Sequence, residues 1–185
     1  VSAGQYICEQ LGDNPDAVVA EIAGIDSLPL TQDRSQGFAE ALENCGLEVS
    51  NRVAAEFTVQ SGEAVTSQLL SAAPEIDAIW NHDDDQGIGV LAAIENANRD
   101  EFFLVGGAGS RNMMDLIQSG DSVVEATVIY PHTQAADGIR LARLVGQGRA
   151  MSDLVEVEVP KRIVLDAPVV TSENVEQYIE ASFAS

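Results

Sequence analysis

Basic residues are scarce in this sequence, and their scarcity limits the partners that the protein can have. Nine Lys and Arg stand against 30 Asp and Glu among 185 residues, which gives a formal net charge of −21. Such a chain repels polyanions unless its basic residues cluster, and these nine are spread along the sequence. We therefore expect no nucleic acid partner.

Long apolar runs, catalytic motifs and metal-ligand spacings are also missing. No apolar segment approaches the roughly 20 residues that a membrane span requires. The sequence has no G-x-S-x-G elbow, no recognisable Cys/His pair and no EF-hand spacing of oxygen ligands. We expect a protein that is not an enzyme, with no catalytic residues, no cofactor and no metal site.

The chain begins Val1-Ser2-Ala3-Gly4, without an initiator Met and without the basic and apolar regions of an export signal. This start is typical of a processed or cut end. Cys8 and Cys45 are the two cysteines, and both fall on apolar faces of predicted helices. They leave two interpretations open: buried free thiols, or a disulfide that would imply export to an oxidising compartment.

Short apolar runs alternate with amphipathic helical stretches along most of the chain. This alternation is typical of parallel strands joined by crossover helices. The predicted strands cover residues 16–24, 47–57, 76–80, 101–105 and 123–129. The predicted helices cover residues 2–11, 34–45, 62–73, 86–97, 110–119 and 132–148. The fold class is therefore α/β, an open doubly wound parallel five-stranded sheet with helices on both faces.

The pattern changes after residue 148. Residues 154–159 and 163–170 are predicted to be extended, and residues 172–183 to form a short helix capped by Ser172. We expect this short extended tail to return across or along the sheet.

In an open parallel sheet, ligands bind outside the carboxyl ends of the strands. An arginine offers a rigid fork of donors, a carboxylate accepts from hydroxyls, and an aromatic face covers the apolar side of a sugar ring. Residues of these kinds follow the predicted strands. The candidates are Arg34, Phe57, Asp83, Asp84, Asp85, Ala108, Ser110, Arg111 and Tyr130.

Each candidate also has an ordinary structural interpretation. Arg34 could be a solvated charge that opens a helix, and Phe57 a core residue at a strand end. At least one residue of the Asp83-Asp84-Asp85 run is expected only to cap the helix that follows. Gly106-Gly107-Ala108-Gly109 resembles a phosphate cradle, but Asn112 replaces the third glycine of the dinucleotide fingerprint and the loop follows the fourth strand, so no nucleotide is expected.

Several segments, taken in order, resemble the ribose-binding-like branch of the type I periplasmic binding proteins. They are Asp33-Arg34-Ser35-Gln36-Gly37-Phe38, Pro74-Glu75-Ile76-Asp77-Ala78-Ile79-Trp80, Asp83-Asp84 with Gly89, Val105-Gly106, Ala126-Thr127-Val128 within residues 120–130, and Val170-Thr171-Ser172-Glu173-Asn174-Val175. The resemblance covers nearly the whole chain.

This resemblance implies two lobes that close over a sugar, of which the chain supplies one. Residues 1–130 would be the carboxy-terminal ligand-binding lobe. Residues 131–160 would be a helix and crossing segment related to the missing amino-terminal lobe, and residues 161–185 a return segment and terminal helix. The helix at 132–148 would pack on the missing lobe, so its apolar face needs another cover here.

The resemblance also implies roles for single residues. Arg34 matches an arginine that grips the sugar, and Phe57 matches a stacking aromatic. Asp83 occupies a position usually held by asparagine, and Ala108 one commonly held by a hydroxyl-binding aspartate. Tyr130 falls near a usual glutamine. These departures make a plain ribose site unexpected, and a different polyol, a modified sugar or a larger saccharide is favoured.

The implied function is the solute-binding component of an ABC importer, which binds a sugar or polyol without changing it. Its partners would be a carbohydrate or polyol, the membrane permease and the missing lobe. Its place would be periplasmic or at the cell surface, with a lipid anchor as an option. Two alternatives stay open: the effector-binding core of a LacI-type repressor, and a small α/β enzyme with His132 and Asp83 as an acid/base pair.

Overall fold

The computed structural model describes residues 1–131, 133–148 and 164–184. It divides into two compact units. The first unit comprises Val1–Ile129 with Pro168–Ser185, and the second comprises Tyr130–Ala167. Within the described ranges, no helix has the length and apolar character needed to cross a membrane.

A single mixed sheet forms the centre of the first unit. Its strands are β1 (Val19–Ala23), β2 (Val49–Ala54), β3 (Ala78–Asn81), β4 (Phe103–Ala108), β5 (Val124–Ile129) and β6 (Val169–Thr171). They lie in the order β2-β1-β3-β4-β5-β6. The first five are parallel, which confirms the predicted fold class, and β6 pairs antiparallel with β5. The tail thus adds a sixth strand at the sheet edge.

Helices connect the strands. They are α1 (Ser2–Leu11), α2 (Pro29–Glu43), α3 (Val59–Ala72), α4 (Asp84–Ala97), α5 (Arg111–Ser119), α6 (Gln134–Gly146) and α7 (Val175–Tyr178), followed by a 3₁₀ turn at Ile179–Ala181. The start of α2 differs most from the prediction, because the helix begins five residues before Arg34. Pro29 stands at its first turn, where a missing N–H costs nothing and the fixed φ suits a helix.

Burial follows the position of each strand in the sheet. All residues of β1 and β3 are buried, as expected for central strands covered on both faces, whereas β2 at the edge alternates. The side chains of the inner helical faces complete the core. The largest fully buried apolar side chains are Phe38, Ile7, Ile22, Leu42, Ile79, Leu104, Met113 and Met114. Ala72, predicted to face inward, is exposed, and Ala73 is buried in its place.

A disulfide joins α1 to the residues just after α2. The S–S distance of Cys8–Cys45 is 2.06 Å, and the Cα atoms are 5.9 Å apart. The two helices pack closely, since a Cβ on Gly4 would lie only 2.7 Å from the Cβ of Ala41. Gly46, which follows the disulfide, has a φ of +82°, and this left-handed conformation lets the chain leave the helix.

The end of the chain corrects one prediction. Ser172 does not cap a helix. The last α-helix begins at Val175, and the side chain of Asn174 accepts a hydrogen bond from the backbone N–H of Thr171 at 2.9 Å. β6 ends at Thr171, and Ser172 lies in the turn that this bond closes. The predicted extended segment at 154–159 lies outside the described residues.

The second unit contains α6. None of the described residues of this helix is buried. The face predicted to be apolar, Ala135, Ile139, Ala142 and Val145, is exposed, with Ile139 at 72% and Val145 at 52%. His132 lies outside the described residues, so the predicted acid/base pair of His132 with Asp83 has no described geometry.

Candidate functional site

The carboxyl ends of the parallel strands form one edge of the sheet, which we name the carboxyl edge. It comprises residues of the first unit that directly follow β1 to β4: Gly24, Ala55–Phe57, His82–Asp83 and Gly109–Ser110. The parallel pairing from β2 to β5 places these segments side by side. Sequence-distant candidates therefore lie on a common edge.

Arg34 reaches this edge from α2. Its Nη1 donates to the backbone carbonyl of His82 at 3.2 Å, and the side chain is partly buried. His82 directly precedes Asp83, so this bond holds the guanidinium beside the predicted carboxylate. Arg34 lies inside the helix and does not open it, because α2 starts at Pro29.

Asp83 caps α4. Its carboxylate accepts a hydrogen bond from the backbone N–H of Asp85 at 3.0 Å, and its own carbonyl accepts one from Asn81 Nδ2 at 2.5 Å. Burial raises the pKa of Asp83 above its usual value, against the opposing hydrogen bonds and the Arg34 charge. Asp83 is nevertheless only partly buried, so it combines a capping role with access to the edge.

Phe57 follows β2 and is partly exposed. Its φ is +56°, a left-handed conformation that a bulky residue rarely adopts. Its backbone N–H donates to the side chain of Gln86 at 3.2 Å, and its ring lies against Gly24. Phe57 is therefore held at the edge and is not an ordinary core residue.

Asp84 is a buried clamp on the β4–α5 loop. Its carboxylate accepts the backbone N–H groups of Gly107, Gly109 and Ser110 at 2.9, 3.0 and 2.7 Å. A Cβ on Gly106 would lie 2.7 Å from Asp84 Oδ1, so the glycine makes room for the carboxylate. The glycine-rich loop thus binds an internal carboxylate.

The burial of Asp84 raises its pKa to about 6, even though hydrogen bonds from Ser110 and Gly107 favour the ionised form. The clamp also fixes Ala108, which is partly exposed at the edge with a φ of +123°. Sequence reasoning placed Asp84 in the candidate set. The structure assigns it to holding the loop.

Ser110 and Arg111 make contacts with α5 and with the C-terminal tail. Ser110 is 0% exposed, and its Oγ accepts from the backbone N–H of Met113 at 3.3 Å, which caps α5. Arg111 pairs with Asp115 at 2.9 Å and donates to the carbonyl of Ile179 at 3.4 Å. These contacts give both side chains a structural role, and their predicted role in ligand binding stays a prediction.

Tyr130 follows the last residue of β5 and is the first residue of the second unit. Its side chain is partly buried. Its predicted role in ligand binding stays a prediction.

A buried charge cluster beneath the edge escaped sequence reasoning. Glu21 in β1 is 1% exposed and accepts hydrogen bonds from Ser35 Oγ at 2.5 Å and His82 Nε2 at 2.8 Å. Arg52 Nε lies 3.2 Å from the same carboxylate, and Arg52 also pairs with Asp26. The cluster joins β1, β2 and α2 to the residue that binds Arg34.

The pKa values of Glu21 and His82 in this cluster are both shifted. Burial disfavours the ionised form of Glu21, but the hydrogen bonds from His82 and Ser35 and the charge of Arg52 outweigh it and lower the pKa of Glu21. Burial lowers the pKa of His82, which holds the ring neutral. A charge within an apolar strand was the one signal in the sequence that pointed to this cluster.

A groove of about 620 Å³ lies at the opposite, amino end of the strands. Its lining includes Asn98, Arg99, Asp100 and Phe102 before β4, and Asp121–Val123 before β5. It contains none of the predicted site residues. The described residues also include no group of three His, Cys, Asp or Glu side chains that could hold a metal ion.

Comparison with known proteins identifies the family of the chain. The profile of the periplasmic binding protein domain matches residues 1–150. The chain belongs to this family. Within it, the ribose-binding-like type I sugar-binding proteins of ABC transporters are its relatives, as the resemblance implied.

Two relatives illustrate the match. The ribose import binding protein of Bacillus subtilis strain 168 is 30% identical over 144 residues, which are 74% of this chain and 45% of that protein. The periplasmic binding protein component of the arabinose ABC transporter of Shewanella sp. ANA-3 has the same fold, with a TM-score of 0.81 and 22% identity over 97% of this chain and 58% of that one. Both are named as binding proteins and not as enzymes.

The chain is also similar to a transcriptional regulator. The HTH-type transcriptional regulator CelR of Thermobifida fusca is 29% identical over 101 residues, 54% of this chain and 30% of the regulator. The chain spans about half the length of the curated ribose-binding relatives that it matches, with 45% and 48% for two of them.

Proposed function

We propose that this periplasmic binding protein chain binds a sugar or polyol at the carboxyl edge and releases it unchanged, as one lobe of an ABC importer's solute-binding component. The observation that carries the proposal is the meeting of Arg34, Asp83 and Phe57 at this edge. Arg34 is held beside Asp83 by its 3.2 Å bond to the His82 carbonyl. Gln86, in the first turn of the helix that Asp83 caps, holds Phe57.

The three groups supply complementary chemistry for a polyhydroxylated ligand. The guanidinium donates hydrogen bonds to hydroxyl oxygens, and the carboxylate accepts them from hydroxyl groups. The aromatic ring covers the apolar C–H face of a sugar ring. Ala108 offers no polar side chain at its position, and this absence of a hydrogen-bonding group favours a ligand other than plain ribose. Tyr130 stays a proposed fourth contact.

The proposed partners follow from the chain's share of its relatives. A second, amino-terminal lobe would supply the other half of the cleft, and a membrane permease would receive the ligand. We also propose that residues 1–130 form the ligand-binding lobe, that residues 131–160 form the segment related to the other lobe, and that residues 161–185 form the return segment. A lipid anchor is part of the same proposal. The Cys8–Cys45 disulfide supports an extracytoplasmic place, since such bonds persist in oxidising compartments.

The effector-binding core of a transcriptional regulator is the second candidate, favoured by the similarity to CelR. The same edge would then bind an effector. The disulfide argues against it, because cytosolic thiols are kept reduced. The net charge of −21 is likewise unfavourable for a DNA-bound protein.

Titration calorimetry of the full-length protein against D-ribose, D-allose, L-arabinose and myo-inositol tests the proposal. Arg34→Ala should weaken binding of the best ligand about 10- to 150-fold, since charge-assisted hydrogen bonds are worth about 1.5–3 kcal/mol. Arg140→Ala is the matched control, because the exposed Arg140 pairs with Asp137 on α6 and is not a predicted site residue, and this variant should bind like the parent. Equal affinity of the Arg34→Ala variant and the parent would refute the site.

A further inference from the structure

The backbone conformation of Phe57 is strained. Its φ of +56° places a bulky aromatic residue in the left-handed region, which is sterically unfavourable for a residue with a Cβ. Such conformations persist only where the surrounding structure holds them. The strain therefore raises the question of what holds Phe57.

Gln86 holds its backbone. The Oε1 atom of Gln86 accepts the N–H of Phe57 at 3.2 Å. Its Nε2 donates to Asn81 Oδ1 at 2.7 Å and approaches the carbonyls of Ile22 and Ala23 at 3.3 and 3.4 Å. Gln86 is 0% exposed, and its amide has one orientation that satisfies both ends. It thereby ties Phe57 to the end of β1.

Gly24 holds the ring. A Cβ on Gly24 would lie 1.9, 2.2 and 2.5 Å from Cζ, Cε1 and Cε2 of Phe57. These distances mean that the far end of the ring rests directly on the glycine backbone. Gly24 itself is buried beneath it, whereas Phe57 stays partly exposed. Any side chain at position 24 would displace the ring.

We propose that Gly24 and Gln86 are positioning residues that fix the plane of the Phe57 ring and so select ligands that present an apolar C–H face to it. Gln86 sets the direction in which the side chain leaves the backbone, and Gly24 sets the depth at which the ring settles. Selection by the ring rests on the proposed sugar-binding function, but the seating of the ring does not.

Gly24→Ala is the main variant. The three atoms nearest to its added methyl group all belong to the far end of the Phe57 ring, which can move, and Gly24 has no left-handed φ to forbid alanine. The fold should therefore survive while the ring shifts. Gly138→Ala is the matched control, because a Cβ there meets nothing within 4 Å. Gln86→Met, which keeps length but loses the amide, is the second variant.

The first readout needs no ligand. In NMR spectra of the full chain, nuclear Overhauser contacts should join the Gly24 Hα protons to the Phe57 ring, and the ring current should shift those protons. Phe57→Leu should remove both signals, and Gln86→Met should weaken them while the remaining spectrum is kept. Absence of these contacts in the parent chain would overturn the proposed seating, whatever the protein binds.

The second readout is affinity in the full-length protein. Gly24→Ala should weaken binding of ring-shaped members of the sugar panel about 3- to 10-fold, the range of an aromatic contact, and should change glycerol binding less. If a variant lost the Overhauser contacts to the Phe57 ring but bound the sugar panel with the affinity of the parent, the proposed role of Gly24 and Gln86 in ligand selection would be refuted. A parent that shows the contacts but binds no panel member would leave the seating intact and refute the proposed function instead.

Discussion

The replacement of Glu21 by alanine probes the charge cluster beneath the carboxyl edge. Glu21 is almost fully buried, and its carboxylate accepts hydrogen bonds from Ser35 and His82 and forms an ion pair with Arg52. Alanine would leave these three groups without their acceptor inside the protein. Truncating one member of a buried, hydrogen-bonded ion pair costs about 3–5 kcal/mol.

The lower end of that range applies here. The side chain of Arg52 is 35% exposed, so water and Asp26 can compensate part of its loss. We expect Glu21→Ala to lower the free energy of unfolding by about 3 kcal/mol. For a chain of this length, each kcal/mol lowers the melting temperature by about 2–4 °C, which predicts a decrease of about 6–12 °C.

Urea denaturation followed by tryptophan fluorescence measures this loss. Trp80 is the single tryptophan and is 3% exposed, with its ring 4.5 Å from that of Phe38 and 4.1 Å from that of His82. The midpoint should fall with an unchanged denaturant slope. Glu63→Ala, an exposed glutamate on α3, is the control and should change stability by less than about 0.5 kcal/mol. A loss below about 1 kcal/mol for Glu21→Ala would refute the role of the cluster.

The same cluster predicts a pH dependence. The pKa values of Glu21 and His82 are both lowered in the fold, from usual values of 4.5 and 6.5. Each group therefore contributes stability that is present above its usual pKa and is lost as the pH falls through its folded pKa. The parent should therefore lose stability through His82 as the pH falls below about 6.5, and through Glu21 as well below about 4.5. Chemical denaturation between pH 7 and 4 measures this loss, and a stability that stays constant over that range would contradict it.

Three further perturbations have defined outcomes. Replacing Cys8 and Cys45 by serine opens a link across 37 residues, which should cost about 4 kcal/mol in chemical denaturation, and a loss near zero would contradict the contribution of the disulfide. Asp84→Asn places an amide donor against backbone N–H groups and should lower the free energy of unfolding by about 2–3 kcal/mol in the same assay at pH 7. The pKa of Asp84 is raised to about 6, so this group stabilises the parent at low pH and the stabilisation is lost as the pH rises through 6. The difference between variant and parent should therefore grow on acidification. Arg99→Ala removes donors to the carbonyls at the end of α3 and should cost about 2 kcal/mol, and hydrogen exchange in the last turn of α3 as slow as in the parent would count against it.

Much of the fold could be predicted because its signals are local. Apolar runs and helical periodicity located five parallel strands and the helices between them, and Gly46 and Gly120 adopt the left-handed φ that ends a helix. The start of α2 at Pro29 was missed, because the polar loop before it carries no apolar periodicity. The packing of β6 against β5 depends on a pairing across about 40 residues that no local pattern specifies.

The candidate site was harder to predict, because its residues acquire their roles from distant partners. Asp83, Asp84 and Asp85 look equivalent in the sequence, yet Asp84 alone turns under the β4–α5 loop. Glu21 has partners on α2, on β2 and in the loop between β3 and α4. The contacts of Ser110 and Arg111 likewise depend on α5 and the tail. The rule that ligands bind at the carboxyl ends of parallel strands does not take such contacts into account.

The most direct test of the account is a crystal structure of the full-length protein with the strongest-binding member of the sugar panel. We expect the ligand at the carboxyl edge, with a hydroxyl oxygen within 3.2 Å of Arg34 and a C–H face on the Phe57 ring. A ligand bound at the amino end of the strands, or a sugar that contacts neither Arg34 nor Phe57, would contradict the account.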